Sequence, residues 1–250
     1  PALGREISSK ECGEHRGSRY ACPSDCAHNP WAPGNYDISL EINQRLTTKL
    51  LERIMRERAD DPDWLSWVRH INGESPDRMT AGWQWRYFGE RDENGLTFVE
   101  RWEKEKFRGL SNDERTKFGW LRSLRVAAVE VQRIIDVNST EVVDLLSGSP
   151  RRFIIFDRGL ASHAVRFSMY LVWLVQEPYY VSIQAGGIEV QAVADFDGGE
   201  IVLEVVRHLR GPAEDAGALQ GWLIENYARV ADSLLALSAA SRRRMLEQLD

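Results

Sequence analysis

From Ile38 onward apolar residues return every four positions. Ile38, Ile42, Leu46, Leu50 and Ile54 make one stripe, widened by Leu51 and Met55. That period predicts a helix to about Arg58, with Asp37 as its N-cap. "DDPDWLSWVRHI" predicts a second short helix after Pro62, with Trp64, Leu65, Val68 and Ile71 turned inward. "SPDRMTAGWQWRYFGE" opens with a cap and a proline at the first helical position; its later part fits helix or strand. "RDENG" is a turn. "LTFVERWEKEKFRG" predicts a helix closed by Gly109, and Ser111 with Glu114 three residues on is a capping box for the next one. Residues 37–125 therefore read as helical.

At Val126 the hydrophobic period drops to two. "VAAVEVQRII", "TEVVDLL", "RRFIIFDR", "VRFSMYLVWLV" and "YYVSIQAG" are short runs rich in β-branched and aromatic residues, separated by turn chemistry. Five short strands in succession predict a small antiparallel barrel. Alternation places Val129, Val131, Val143, Leu145, Ile155 and Leu171 in its interior. Farther on, "EIVLEVVRHLRG" is ambiguous between helix and strand. A long helical stretch after Gly217 carries Leu219, Trp222, Leu223, Tyr227, Val230, Leu234 and Leu237 on one face.

The chain before Asp37 differs from all of this. It is rich in Gly, Ser and Pro, has little periodicity, and lacks the apolar residues for a core of its own. The expected fold class is thus α+β in four parts: a zinc-stapled segment over residues 1–36, a helical region over 37–125, a small antiparallel β-barrel-like domain over 126–198, and C-terminal helices over 199–250.

The zinc expectation comes from the cysteines. All three in the chain, Cys12, Cys22 and Cys26, fall in this coreless segment with His15 and His28. An odd number cannot form a closed disulfide set. A catalytic thiol needs a partner histidine and a folded cleft, and an iron–sulfur cluster ordinarily takes a fourth cysteine. Cys22 and Cys26 are three residues apart, inside zinc-knuckle spacing, and His28 follows two residues later. Cys12, Cys22, Cys26 and His28 complete a Cys₃His tetrahedron, with His15 as the rival fourth ligand. Structural Zn²⁺ also supplies the staple the segment lacks, because binding energy becomes folding energy.

Charge narrows the partners. The net charge of −6 over 250 residues opposes bulk electrostatic attraction to nucleic acid or anionic membrane. No apolar run has bilayer-spanning length, and no basic segment followed by an apolar one marks secretion. A cytoplasmic protein is expected, and a start at Pro1 leaves room for a preceding segment. The nine tryptophans are read as core, or as a hydrophobic contact surface.

The stretch from Thr97 to Phe167, with its "LSNDER" helix start, "VVDLLSGSPRRFIIFDR" and the turn after it, resembles a domain of uncharacterised bacterial proteins that often carry a SEC-C motif. The resemblance extends over about residues 96–187. It implies a zinc-binding accessory segment beside a small β domain and assigns no activity. The SEC-C ligands are a close Cys-x-Cys pair and a later Cys-Cys or Cys-His pair. Here the pattern is Cys-x₃-Cys-x-His with a distant Cys12.

Elsewhere the residues favour ordinary structure over chemistry. Asp144 and Gly148 read as a strand end and its turn. In "FDRGLASH", Asp157, Ser162 and His163 lie within eight residues, whereas triad members converge from separate elements. An Asp157–Arg158 surface pair with a Ser162 cap is expected instead. "AGGIEV" lacks phosphate-loop spacing, and "SRRRM" complements a helix C-terminus. The leading expectation is a non-enzymatic, zinc-binding interaction or regulatory protein of the bacterial cytoplasm with a protein partner. The alternative is a nucleic-acid-binding accessory protein using zinc knuckle and barrel, with Trp83, Trp85, Arg86 and Tyr87 as stacking groups near Arg151 and Arg152. A third is a hydrolase or nuclease whose residues meet only in three dimensions.

Overall fold

The computed structural model describes residues 4–147, 151–190, 198–211 and 216–247, with the backbone alone for 185, 216–217 and 238–247. In chain order it contains α1 (Ser9–His15), a 3₁₀ turn (Pro33–Asn35), α2 (Tyr36–Glu57), α3 (Pro62–Ile71), α4 (Pro76–Phe88), α5 (Phe98–Lys104) and α6 (Asn112–Trp120). The barrel follows: β1 (Arg125–Ile134), β2 (Ser139–Asp144), β3 (Arg152–Phe156), α7 (Arg158–His163), β4 (Met169–Gln176) and β5 (Val181–Val190). The C-terminal helices are α8 (Gly198–Arg210), α9 (Ala216–Glu225) and α10 (Tyr227–Glu247).

The helix starts follow local chemistry. Asp61 caps α3 and Ser75 caps α4, each ahead of a proline. Thr97 with Glu100 and Ser111 with Glu114 form full capping boxes on α5 and α6. Three details differ from expectation. The cap position of α2 is Asn35 instead of Asp37, and its side chain donates to the Asn29 carbonyl at 2.8 Å. The α5 helix stops at Lys104, five residues before Gly109, because Lys106 and Phe107 take left-handed backbone angles. The last helical stretch is broken at Asn226, whose side-chain amide donates to Trp222 O at 3.0 Å.

The strands close into a barrel in the order β1-β2-β3-β5-β4. The all-antiparallel expectation is corrected at one seam, where β3 runs parallel to β5 at Ile155 and Val181. A closed ring with an odd number of strands cannot be antiparallel throughout, so one parallel seam is unavoidable. The short α7 lies between β3 and β4. Asp157 caps it by accepting from Leu160 N–H at 2.7 Å, and Leu160 reaches the barrel's inner cluster.

That cluster holds Ala127, Val129, Val131, Val142, Ile155, Leu160, Val172, Leu174 and Ile183. Val129, Val131 and Ile155 are interior as expected; Val143, Leu145 and Leu171 are not. Val142 takes the inward position on β2. Leu171 faces outward into the main core, with Val126, Ala128, Trp173 and Ile188. Helices cover this side of the barrel, so both faces of β1 and β4 are apolar and alternation alone cannot say which is inside.

The main core joins those outward barrel residues to α2–α6 and α8–α10. Two polar links cross it. Gln84 on α4 donates to Gly186 O at 2.9 Å and accepts from Tyr227 Oη at 2.6 Å, tying α4, β5 and α10 together. Gln220 on α9 both accepts from Val126 N–H and donates to its carbonyl, as a neighbouring strand would. The tryptophans are core groups: Trp31, Trp64, Trp102 and Trp173 are buried, and the rest pack partly buried on the same cluster or on Trp31.

The outer face where Arg133 of β1, Glu141 of β2 and Arg152 and Ile154 of β3 meet is open to solvent. Ile154 is 48% exposed there.

Candidate metal centre and its surroundings

The cysteine segment is built on α1, which Ser8 caps by accepting from Glu11 N–H at 3.1 Å. After α1 the chain turns back through Gly17, at φ +70°. A side chain there is excluded twice over, because a Cβ would meet Trp31 Nε1 at 2.9 Å. The turn closes when Tyr20 N–H donates to His15 O at 2.9 Å and Gly17 N–H to Tyr20 O at 2.9 Å. Downstream, the loop carrying Cys22, Cys26 and His28 is laced by buried Asn29. Its amide donates to Pro23 O at 3.0 Å, and its oxygen accepts from Trp31 N–H at 3.1 Å.

The segment is anchored to the body rather than loose. Arg16 forks onto Asp113 of α6 at 2.9 and 2.6 Å and donates a third bond to His28 O at 2.9 Å. One guanidinium therefore fixes the end of α1, the His28 turn and α6 together. Trp31 packs edge-on against Trp120, with ring centroids 4.7 Å apart. Tyr179, in the turn between β4 and β5, donates to the Cys22 carbonyl. The expectation that this stretch has no core of its own holds, but it borrows one.

Cys12, Cys22, Cys26 and His28 all line one cavity of about 1000 Å³. His15 is not among its lining residues; its ring rests against Tyr20. The three thiols are free and half-buried. Burial pushes the Cys22 thiol up, a Gly17 backbone hydrogen bond opposes this, and the nearby Cys26 and Cys12 thiols add to the rise. The Arg16 cation pulls the other way. As positioned, no group of three or more His, Cys, Asp or Glu among the described residues is arranged to hold a metal ion. The donor chemistry is that of a closed tetrahedral zinc site, but the donors line the cavity without converging in it.

Across the cavity mouth, Glu11 accepts from both Arg5 and Tyr20. The Arg5 hydrogen bond, then the Tyr20 one, brings the Glu11 carboxyl down from 4.5 to about 2. A lowered carboxyl pKa means the tie is complete above 4.5 and is lost as pH falls through about 2. The Tyr20 ring resonances should therefore titrate with a midpoint near 2; a midpoint near 4.5 would show that Arg5 and Tyr20 do not hold this carboxylate.

The other sequence candidates separate. Asp157 is a helix cap with its carboxyl pushed up by burial, and Arg158 pairs with Asp37 at 2.7 Å instead of with Asp157. Ser162 Oγ lies 2.8 Å from His163 Nδ1, both exposed, while Asp157 is bonded to backbone N–H, so no relay joins the three. Asp144 ends β2 and takes Arg125 as partner; Gly148 lies outside the described residues, as do the side chains of "SRRRM". "AGGIEV" belongs to β5. The stacking group expected around Trp83 is corrected. Tyr87 is buried, Trp83 packs between Trp64 and Trp67, and Arg86 lies over the Trp64, Trp67 and Trp85 rings while paired with Glu90. Tyr87 and the inner faces of these rings are used up inside the protein, while Trp67, Trp85 and Arg86 also line an open cavity.

Sequence reasoning missed Arg16, Asn29, Tyr179 and the buried ion pair of Lys117 on α6 with Glu177 after β4, to which Ser182 also donates. An asparagine beside a Cys-x₃-Cys-x-His run hints at an Asx turn; nothing local marks the other three, whose partners lie 60 or more residues away.

No family model matches the chain, and no curated protein or solved structure matches it. No helix among the described residues is long and apolar enough to cross a membrane.

Proposed function

We propose that the protein is a non-enzymatic accessory protein. In this reading Cys12, Cys22, Cys26 and His28 hold a structural zinc ion, and the folded body meets a partner macromolecule. One observation carries the reading: four soft or borderline donors, spread over seventeen positions in a segment without its own core, all line a single cavity. Turning the thiols inward completes a Cys₃His set, and zinc binding releases their protons. Burial holds the Cys22 thiol up, and the Arg16 cation opposes that rise. The resemblance to SEC-C-carrying proteins points the same way.

A structural role follows from the ligand count. Four protein donors close a tetrahedral ion, whereas catalytic zinc keeps a position for water. Among neighbouring carboxylates, Glu11 is engaged by Arg5 and Tyr20, and Glu6 and Asp25 line the cavity together with His28, which the proposed zinc would occupy.

Elemental analysis of protein purified without added metal should find about one zinc per chain. Cys22→Ser and Cys26→Ser should each abolish it, and His28→Ala should weaken it more than His15→Ala. Metal-free protein whose residues 9–31 are nonetheless protected from hydrogen exchange would sink the zinc assignment. A metal-dependent hydrolytic rate lost in Cys26→Ser would sink the non-enzymatic one.

A further inference from the structure

We propose that the solvent-open outer face of the barrel binds single-stranded nucleic acid. The proposal does not depend on zinc and concerns a surface some distance in sequence from the cysteines.

The face is assembled by register. A β-bulge at Gln132 shifts the pairing between Val131 and Arg133, so Arg133 lies opposite Glu141 and points outward with it. Glu141 in turn lies opposite Ile154, and Val143 opposite Arg152. The outer face thus presents Arg133, Arg152 and Ile154 around one carboxylate. Both arginines reach that same Glu141 oxygen, at 3.3 and 3.7 Å, so one negative charge is shared between two cations. Their side chains are about two-thirds exposed, while Glu141 is mostly covered.

Arg166 completes the group. Gln132, Arg133, Glu141, Arg152 and Arg166 line a groove of about 470 Å³, three guanidinium groups against one carboxylate. Among the described residues Arg166 has no carboxylate partner; its guanidinium lies 4.5 Å over the Phe167 ring. That ring is 59% exposed. Phe167 is also held at φ +68°, a conformation a bulky residue rarely adopts. The bulged strand maintains it: Phe167 N–H donates to Val131 O at 2.7 Å, and Val131 N–H donates to Ser168 O at 3.0 Å. Backbone strain is therefore spent on displaying an aromatic ring beside an unpaired arginine.

The chemistry selects the occupant. Guanidinium groups match phosphate oxygens, and an exposed ring beside Arg166 offers a face for a base to stack on irrespective of sequence. The groove lining itself is polar and cationic, with the apolar Ile154 and Phe167 exposed near it. With a net charge of −6, attraction for phosphate needs a local cluster of cations such as this one.

The test is fluorescence anisotropy with 5′-labelled 12-mers of dT and rU, titrated with the full-length protein from 50 to 200 mM salt. Three phosphate contacts predict a slope of log K against log salt near −2, at about −0.7 per contact on a single strand. Arg152→Ala and Arg166→Ala should each flatten that slope by about 0.7. Phe167→Ala should weaken binding at least about fivefold, and Phe167→Trp should retain it. Thermal melts establish that each variant is folded. No binding of either oligonucleotide, or binding that Arg152→Ala, Arg166→Ala and Phe167→Ala all leave unchanged, overturns the proposal. So does displacement of the oligonucleotide by poly-glutamate at equal concentration, which would make the face a site for acidic protein. Oligonucleotide binding that survives loss of zinc in Cys22→Ser, or zinc retained when binding fails, separates this proposal from the previous one.

Discussion

Lys117→Ala is expected to destabilise the protein by about 3–5 kcal/mol. Lys117 and Glu177 are both almost wholly buried, and they bond directly to each other. Burying a carboxylate costs several kcal/mol, which only a well-placed partner offsets. Alanine removes that partner and leaves Glu177 with the neutral hydroxyls of Ser182 and Tyr180. Its second oxygen already has no hydrogen-bond partner among the described residues. The loss should lower Tm by roughly 6–20 °C for a chain of this size. The double variant Lys117→Met with Glu177→Leu removes both charges and should cost much less than Lys117→Ala alone. Urea unfolding of the three proteins checks this. A single variant within about 1 kcal/mol of the parent would mean that water reaches Glu177.

Trp31→Ala should cost about 3–5 kcal/mol as well, by deleting a buried indole whose neighbours cannot collapse into the space. Trp31 is 1% exposed and packs against Trp120 on one side and Gly17 on the other. It is therefore the wedge between the cysteine segment and α6. Its loss should release residues 4–30 first, exposing the turn at Gly17 to protease while the barrel and the main core remain folded. Limited proteolysis with mass spectrometry reads the order of cleavage. Cleavage first within the barrel would show that Trp31 supports the whole fold. Gly17→Ala should act in the same direction, since it combines a left-handed backbone with a contact at 2.9 Å from the indole.

Both predictions concern contacts that join distant parts of the chain, and that is where sequence and structure part company. The turn chemistry and the change of period at Val126 determined that α2–α6 would be helices and that five strands would follow, because capping and alternation are local. The cysteines and His28 fall within seventeen residues and line one cavity, but no group of such donors among the described residues is arranged to hold a metal ion. Local pattern could not decide which face of a doubly buried strand lies inside the barrel, so Leu171 and Val143 were placed on the wrong side. Nor could it show the Gln132 bulge that turns Arg133 outward beside Arg152, or the strained Phe167 it supports. The partners of Arg16, Tyr179 and Lys117 are likewise set only when α6 and the β4–β5 turn come together. Such groups carry no periodic signal, since one buried polar residue is matched by one other far along the chain. Short-range propensity thus determined the elements, and only the tertiary structure decided which surfaces close on each other and which outer positions of the barrel stay open to solvent.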